Sequence, residues 1–213
     1  MMHETENCRL CNELSPIFHL NNEKYYLQCP NCNGIFISKQ FLPDDSFEID
    51  RYKAHNNDVN DIGYQKFVSP ITNSILNDFD KEHNGLDFGS GTGPVITAVI
   101  REKGYNIETY DPYFDFRPEL LNDRYDYIAC CEVVEHFHNP QLEFEKLKSL
   151  LKPNGKLYIM TDLFNEEINF DDWYYKNDPT HVFIFQESTF AWIKETFAFK
   201  SLEFQDRLIT LST

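Results

Sequence analysis

The sequence has no stretch of about 18 apolar residues, the length needed to cross a bilayer. Its amino terminus, Met1-Met2-His3-Glu4-Thr5-Glu6, lacks both the basic start and the apolar core of a secretory signal. A cytoplasmic location with no membrane partner is the expectation. Positive charge is scarce as well: 19 Lys and Arg stand against 35 Asp and Glu, a formal net charge of −16. No run of about five basic residues offsets that balance. Phosphate backbones are held by clustered Lys and Arg, so nucleic acid is a disfavoured partner, with a local pocket for one nucleotide left open. A reducing compartment also makes the six cysteines metal ligands or core residues rather than disulfides. What remains is a chain of 213 residues with 41% apolar and 15% aromatic content. That is enough for one domain with a sizeable core and a small appendage.

Four cysteines form two pairs, Cys8-x2-Cys11 and Cys29-x2-Cys32, with residues 12–28 between them. Two intervening residues let both sulfurs of a pair turn toward one centre. Four thiolates suit tetrahedral structural zinc and leave no open position for catalysis, although a redox pair is the alternative use. The spacing predicts a zinc-ribbon module over residues 1–40, with short strands at 17–20 and 25–27. Gly34 falls where the second knuckle is expected to need positive φ. A segment this short buries little apolar surface, so the metal would supply much of its folding energy. Cys130 and Cys131 end an apolar run that reads as a buried strand, where free cysteine packs as a small hydrophobe.

Residues 41–80 read as a linker and a leading helix. Residues 40–50 contain Pro43 and an acidic cluster. Val68, Ile71, Ile75, Leu76 and Phe79 then repeat at helical spacing. Tyr52, His55 and Tyr64 lie in the connector, where a surface role is the default.

Residues 81–213 hold the most informative passage, Leu86-Asp87-Phe88-Gly89-Ser90-Gly91-Thr92-Gly93. A short strand leads into a glycine turn that allows close backbone approach to a ligand. Pro94 suits a first helical position, Ile96, Val99 and Ile100 follow helical spacing, and Gly104 stops the helix. A second strand ends at Asp111, whose carboxylate is placed to accept both ribose hydroxyl protons of a nucleoside ligand. The same pairing occurs in nicotinamide-binding folds. Asn139-Pro140 opens a further helix, and 199–204 with 207–211 read as a closing hairpin.

The passage from Leu86 to Gly93 resembles the first motif of class I S-adenosylmethionine-dependent methyltransferases. Asp126-Tyr127-Ile128-Ala129-Cys130-Cys131-Glu132-Val133-Val134-Glu135-His136 and Leu151-Lys152-Pro153-Asn154-Gly155-Lys156-Leu157 resemble the fourth strand and the turn into the fifth strand of its ubiquinone-biosynthesis-like branch. The resemblance implies an α/β, Rossmann-like fold with a seven-stranded sheet of order 3-2-1-4-5-7-6 and an antiparallel strand 7. No clear third strand or terminal acid follows Asp111, which leaves the adenine contacts unassigned. By the same resemblance, Asp87, Gly89, Gly91, Gly93 and Asp111 hold S-adenosyl-L-methionine. The branch also carries a tyrosine-x-x-histidine-asparagine leader over the cofactor, which adds Tyr52, His55 and Tyr64. Glu132 lies beside the expected methyl position.

Methyl transfer from a sulfonium is an in-line displacement, and an alcohol, phenol or carbon acid must also lose a proton. Histidine suits that task. His181, in Asp178-Pro179-Thr180-His181, resembles the branch's aspartate-proline-x-histidine segment and is the favoured base, with His136 second. A segment of zinc-ribbon-bearing sugar C-methyltransferases is also similar, but Thr180 stands where those have glutamate. His181 could instead fix its own loop, and His136 could cap the adjacent helix. Trp173, Tyr174 and Tyr175 are candidates for an aromatic substrate pocket or for the core. The reading is O- or C-methylation of a small polar metabolite, a sugar nucleotide among the candidates. Its alternatives are an RNA or protein methyltransferase that docks through the ribbon and a non-catalytic methyltransferase-like binding protein. Acceptor identity and oligomeric state are not legible.

Overall fold

The structure is a computed structural model that describes residues 5–21, 24–54 and 57–213. Strands β1 (Thr5–Asn7), β2 (Leu14–Asn21), β3 (Lys24–Gln28) and β4 (Ile35–Ile37) form an antiparallel sheet around the cysteine knuckles. Its fifth strand, β9 (Phe183–Ile184), comes from the far end of the chain and pairs Ile35 with Ile184 and Phe36 with Phe183. The cysteine segment is therefore sewn into the rest of the molecule. One core cluster joins Cys8, Leu27 and Phe36 to Leu86, Ile128, Leu157 and Phe190.

The knuckle turns differ from expectation in one detail. Positive φ falls on Asn12 (63°) and Asn33 (58°), not on Gly34. Asparagine tolerates this region because its short amide bonds locally. Gly34 is needed for space instead: a Cβ there would sit 2.4 Å from Cζ of Phe183.

The acidic stretch read as a linker is largely helical. Asp44 accepts a bond from the Phe47 N–H at 2.9 Å and opens α1 (Asp45–Lys53). Asp61 likewise caps α2 (Ile62–Phe67), which runs into α3 (Ser69–Asp78). Each aspartate satisfies amide donors that a helix start would leave open.

The main sheet is built from β5 (Asn84–Phe88), β6 (Asn106–Tyr110), β7 (Tyr125–Cys131), β8 (Leu151–Met160), β10 (Ser201–Gln205) and β11 (Leu208–Ser212). Its order is β10-β11-β8-β7-β5-β6, with β5 to β8 parallel and β11 antiparallel to both neighbours. Helices α4 (Val95–Glu102), α5 (Pro140–Ser149) and α6 (Glu187–Thr196) connect the strands. Among the described residues the sheet has six strands rather than seven. Between β6 and β7 the chain bends through Pro112 and a short 3-10 helix over Pro118–Asn122. Proline cannot donate to a ladder. Arg117 instead covers the exposed edge of β6, donating to the Thr109 carbonyl at 2.5 Å and pairing with Glu108 at 3.0 Å. An edge left bare would invite further pairing.

Because β6 and β7 flank β5 on opposite sides, connections leave β5 in opposite directions. Such a reversal opens a crevice beyond the carboxyl ends of the strands, where ligands bind in open α/β sheets.

Candidate active site

A cavity of about 690 Å³ occupies that crevice, within the range of small-molecule sites. Gly89, Ser90, Gly91 and Thr92 form one wall, and Tyr110, Asp111, Tyr113 and Phe114 a second. Residues Asp45, Glu48, Tyr52 and Tyr64 roof it, and Glu132, His136 and His181 close the far side.

The glycine turn is shaped by close packing. Gly89 and Gly91 have φ of 78° and 62°, and a Cβ on Gly89 would lie 2.5 Å from Val133 Cγ2. Gly93 faces the backbone of Asn57: a Cβ there would fall 1.8 Å from the Asn57 carbonyl oxygen. Asp111 ties both walls together. Its Oδ2 accepts the Gly91 N–H at 2.9 Å, and its Oδ1 accepts the N–H groups of Tyr113 and Phe114 at 2.9 and 3.0 Å. A carboxylate offers about four acceptor directions, so Oδ2 keeps one beyond the Gly91 bond, and Asp111 lines the cavity. These features fit a nucleoside cofactor: the turn presents backbone with no side chain in the way, and a buried acid stands beside it.

Asp87 has a different setting. It lies behind the turn, fully buried, with Oδ2 accepting the Thr97 hydroxyl at 2.8 Å. Burial raises its carboxyl to about 6, against the lowering effect of Thr97. Its place is beneath the cradle rather than on the cavity wall.

The two histidines meet, with ring centroids 4.9 Å apart. His181 Nδ1 donates to the Tyr175 carbonyl at 2.7 Å, and His136 Nδ1 donates to the Thr180 carbonyl at 2.8 Å. A donating Nδ1–H fixes the neutral tautomer that carries its lone pair on Nε2. Burial lowers the His181 pKa, with His136 acting the same way against Glu135 and Asp178. Fully buried Glu135 stands between the rings and the Tyr175 hydroxyl, which donates to it at 2.6 Å. Burial raises its carboxyl as well. Ligand atoms of Glu135, His136 and His181 all lie within 4.8 Å of one another, a set that could hold a divalent cation.

Glu132 closes β7 with φ of 52° and lines the cavity. Burial, then Glu135, pushes its carboxyl up to about 8, opposed by Arg207, which donates to Oε1 at 2.8 Å. Arg207, from the closing hairpin, also pairs with Asp162 at 2.8 Å.

Tyr52 and Tyr64 both reach the cavity. Tyr52 meets the His136 ring edge-on at 5.2 Å, and Tyr64 stacks on Phe67 at 5.8 Å. His55 lies outside the described residues. The aromatic trio of 173–175 does not wall the cavity: Trp173 packs on Phe164 and Phe170, and Tyr174 is exposed. Three residues that reach the cavity, Glu48, Tyr113 and His138, went unread in the sequence. Glu48, 3% exposed, accepts from the Tyr113 hydroxyl at 2.9 Å and pairs with His138 at 3.2 Å. Its only sequence signal was position on a capped helix.

Away from the cavity, the four paired cysteines gather as expected from their spacing. Their sulfurs lie within 4.8 Å of one another, with Cys8–Cys32 at 3.6 Å and Cys11–Cys29 at 3.2 Å. A disulfide needs about 2.05 Å, whereas sulfurs about 2.3 Å from a tetrahedral zinc stand near 3.8 Å apart. The amides of Leu10 and Cys32 point at the Cys8 and Cys29 sulfurs at 3.4 Å. The cluster fits a four-thiolate metal.

A profile of the methyltransferase-domain family matches residues 61–203. The chain belongs to that family. Among solved structures, this methyltransferase-domain fold resembles the Burkholderia thailandensis 1,6-didemethyltoxoflavin-N1-methyltransferase with bound 1,6-didemethyltoxoflavin and S-adenosylhomocysteine. That match has a TM-score of 0.55 at 13% identity and covers 92% of this chain and 98% of the other. Human N-acetylserotonin methyltransferase in complex with SAM aligns with a TM-score of 0.54 at 14% identity, over 80% of this chain and 56% of that one. Both likenesses establish the methyltransferase fold. Ubiquinone biosynthesis O-methyltransferase of Histophilus somni (strain 2336) is 28% identical over 81 residues, which is 36% of this chain and 34% of that protein. The chain thus spans about a third of the length of that curated relative. No helix among the described residues is long and apolar enough to cross a membrane.

Proposed function

We propose that the chain is an S-adenosylmethionine-dependent methyltransferase acting on a hydroxyl of a small acceptor, with His181 as general base. The observation that carries this reading is the cavity itself. A bare glycine turn and Asp111 face, across one space, an imidazole whose tautomer leaves a basic Nε2. The cofactor, when bound, supplies a methyl group on a positively charged sulfur. Gly89 to Thr92 and Asp111 would hold it, with Tyr52, Tyr64 and Glu132 closing over it.

His181 would take the acceptor's hydroxyl proton at Nε2 while Tyr175 fixes the ring. The oxygen so freed of its proton would be the nucleophile for the methyl group that the bound cofactor would supply. The resulting imidazolium sits near Glu135, whose carboxylate stabilises it. The wall's charge favours an uncharged hydroxylated acceptor over a sugar nucleotide. Asp45, Glu48, Asp111 and Glu143 line the cavity, and Lys146, its one Lys or Arg among the described residues, is bonded to Glu143 at 2.9 Å. A diphosphate would enter without a cation to meet it. We further assign the Cys8–Cys11–Cys29–Cys32 cluster a structural zinc.

Turnover of a panel of phenols, alcohols, sugar nucleotides, RNA and peptides tests the proposal. His181→Ala should remove turnover of the preferred acceptor with cofactor affinity retained. Unchanged rates would dismiss His181, methylated RNA or peptide would favour a docking ribbon, and cofactor binding without turnover would favour a non-catalytic protein.

A second reading is favoured by the Glu135–His136–His181 set. Here a divalent cation, rather than a histidine base, would acidify the acceptor hydroxyl. Activity lost to a chelator and restored by magnesium or manganese, with no change in zinc content, would select it.

A further inference from the structure

Arg9 follows the first knuckle ligand directly, yet its side chain is 8% exposed. Its Nη2 donates to the carbonyl of Val182 at 2.5 Å. Its Nε and Nη1 are buried with no hydrogen-bond partner among the described residues, and the guanidinium lies 5.6 Å over the Phe36 ring. An arginine buried with one bond to a neutral carbonyl is costly unless a negative charge stands close by. Zinc with four thiolates carries a net charge of −2, and it would be one residue away.

The acceptor end of that bond lies beside the cavity. Val182 follows His181, its N–H donates to the Glu135 carbonyl at 2.9 Å, and its carbonyl neighbours the Ile37 N–H, which donates to it at 3.2 Å. The segment then continues into β9 on the edge of the ribbon sheet. So one residue is held by the metal knuckle and the ribbon strand through its carbonyl and by the residue-135 backbone through its N–H. Next to it are His181, His136 and Glu135.

We propose that Arg9 is a positioning residue, which anchors the strand after His181 to the four-thiolate site and so sets the His181 ring in the cavity. The inference rests on His181 being the base, but the geometry it predicts does not. The ribbon then has a role inside the active site, beyond stabilising its own fold. Lysine would keep the charge without the planar fork that reaches the carbonyl.

The test uses the full-length, metal-loaded protein and the variants Arg9→Met and Arg9→Lys. Imidazole NMR signals of His181, assigned by their loss in His181→Ala, report ring placement without any turnover. In Arg9→Met we expect metal content of one per chain and S-adenosylmethionine affinity within about twofold, since Arg9 does not line the cavity. The His181 signals should move, and kcat should fall about tenfold or more with KM little changed, as expected for a misplaced base. Arg9→Lys should restore part of kcat. His181 signals that match the wild type in metal-loaded Arg9→Met would overturn the proposal. If Arg9→Met fails to fold, Arg9→Lys decides by the same signals. Shifted His181 signals with no change in kcat would uphold the anchoring and reject only His181 as base.

Discussion

Helix α1 roofs the cavity with Asp45, Glu48 and Tyr52, and one of its ties to the His181 loop is Arg51. The guanidinium donates to Asp178 Oδ2 from Nη2 at 2.7 Å and from Nε at 3.1 Å. Asp178 Oδ1 in turn accepts the amide and hydroxyl of Thr180. Removing the tie with Arg51→Met should loosen the roof. The Arg51 side chain is 42% exposed and that of Asp178 15%, so solvent screening limits the pair to about 0.5–1 kcal/mol. If α1 closes over the cofactor, that becomes about a two- to fivefold weaker Kd for S-adenosylmethionine. Calorimetry at about 50 and 500 mM NaCl is the assay, because salt shortens the screening length to a few ångströms and should shrink the gap between wild type and variant. Equal affinities at low salt would refute α1 as a closing element.

Gly93→Ala places a methyl 1.8 Å from the Asn57 carbonyl, so the Asn57 backbone must move; S-adenosylmethionine affinity should fall about tenfold or more by calorimetry. For Asp87, the raised folded pKa of about 6 means its stabilising protonated state is complete below about 3.9 and is lost as pH rises through 6. Asp87→Asn should therefore be more stable than wild type at pH 7.5 by about 1–3 kcal/mol in urea, with the gap closing near pH 4. Cys29→Ser should lower zinc content and cut Tm by several degrees; full metal loading with an unchanged Tm would reject the four-thiolate assignment.

Local patterns in the chain proved easy to read, and distant pairings did not. Residues 86–93 state strand and turn in consecutive positions, and the cysteine pairs state their own geometry. The fifth strand of the cysteine module's sheet is two residues long and comes from the far end of the chain, so no local pattern announces it. Helix α1 was hidden by Pro43 and its acids, although Asp44 was a readable cap. The missing third strand was visible as an absence, whereas the way Arg117 covers the bare edge of β6 needed coordinates. Gly34 shows a similar limit: the sequence suggested a backbone angle, whereas the constraint is a phenylalanine ring from residue 183. Glu135 stood in plain view beside His136, but only its burial next to two imidazoles gives it meaning.

The most direct trial of the cofactor site is calorimetry of S-adenosylmethionine against wild type and Asp111→Asn. The account predicts one cofactor bound per wild-type chain and an affinity at least about tenfold lower in the variant, from the loss of one charged hydrogen bond worth about 1.5–3 kcal/mol. A wild type that does not bind, or a variant that binds equally well, would contradict it.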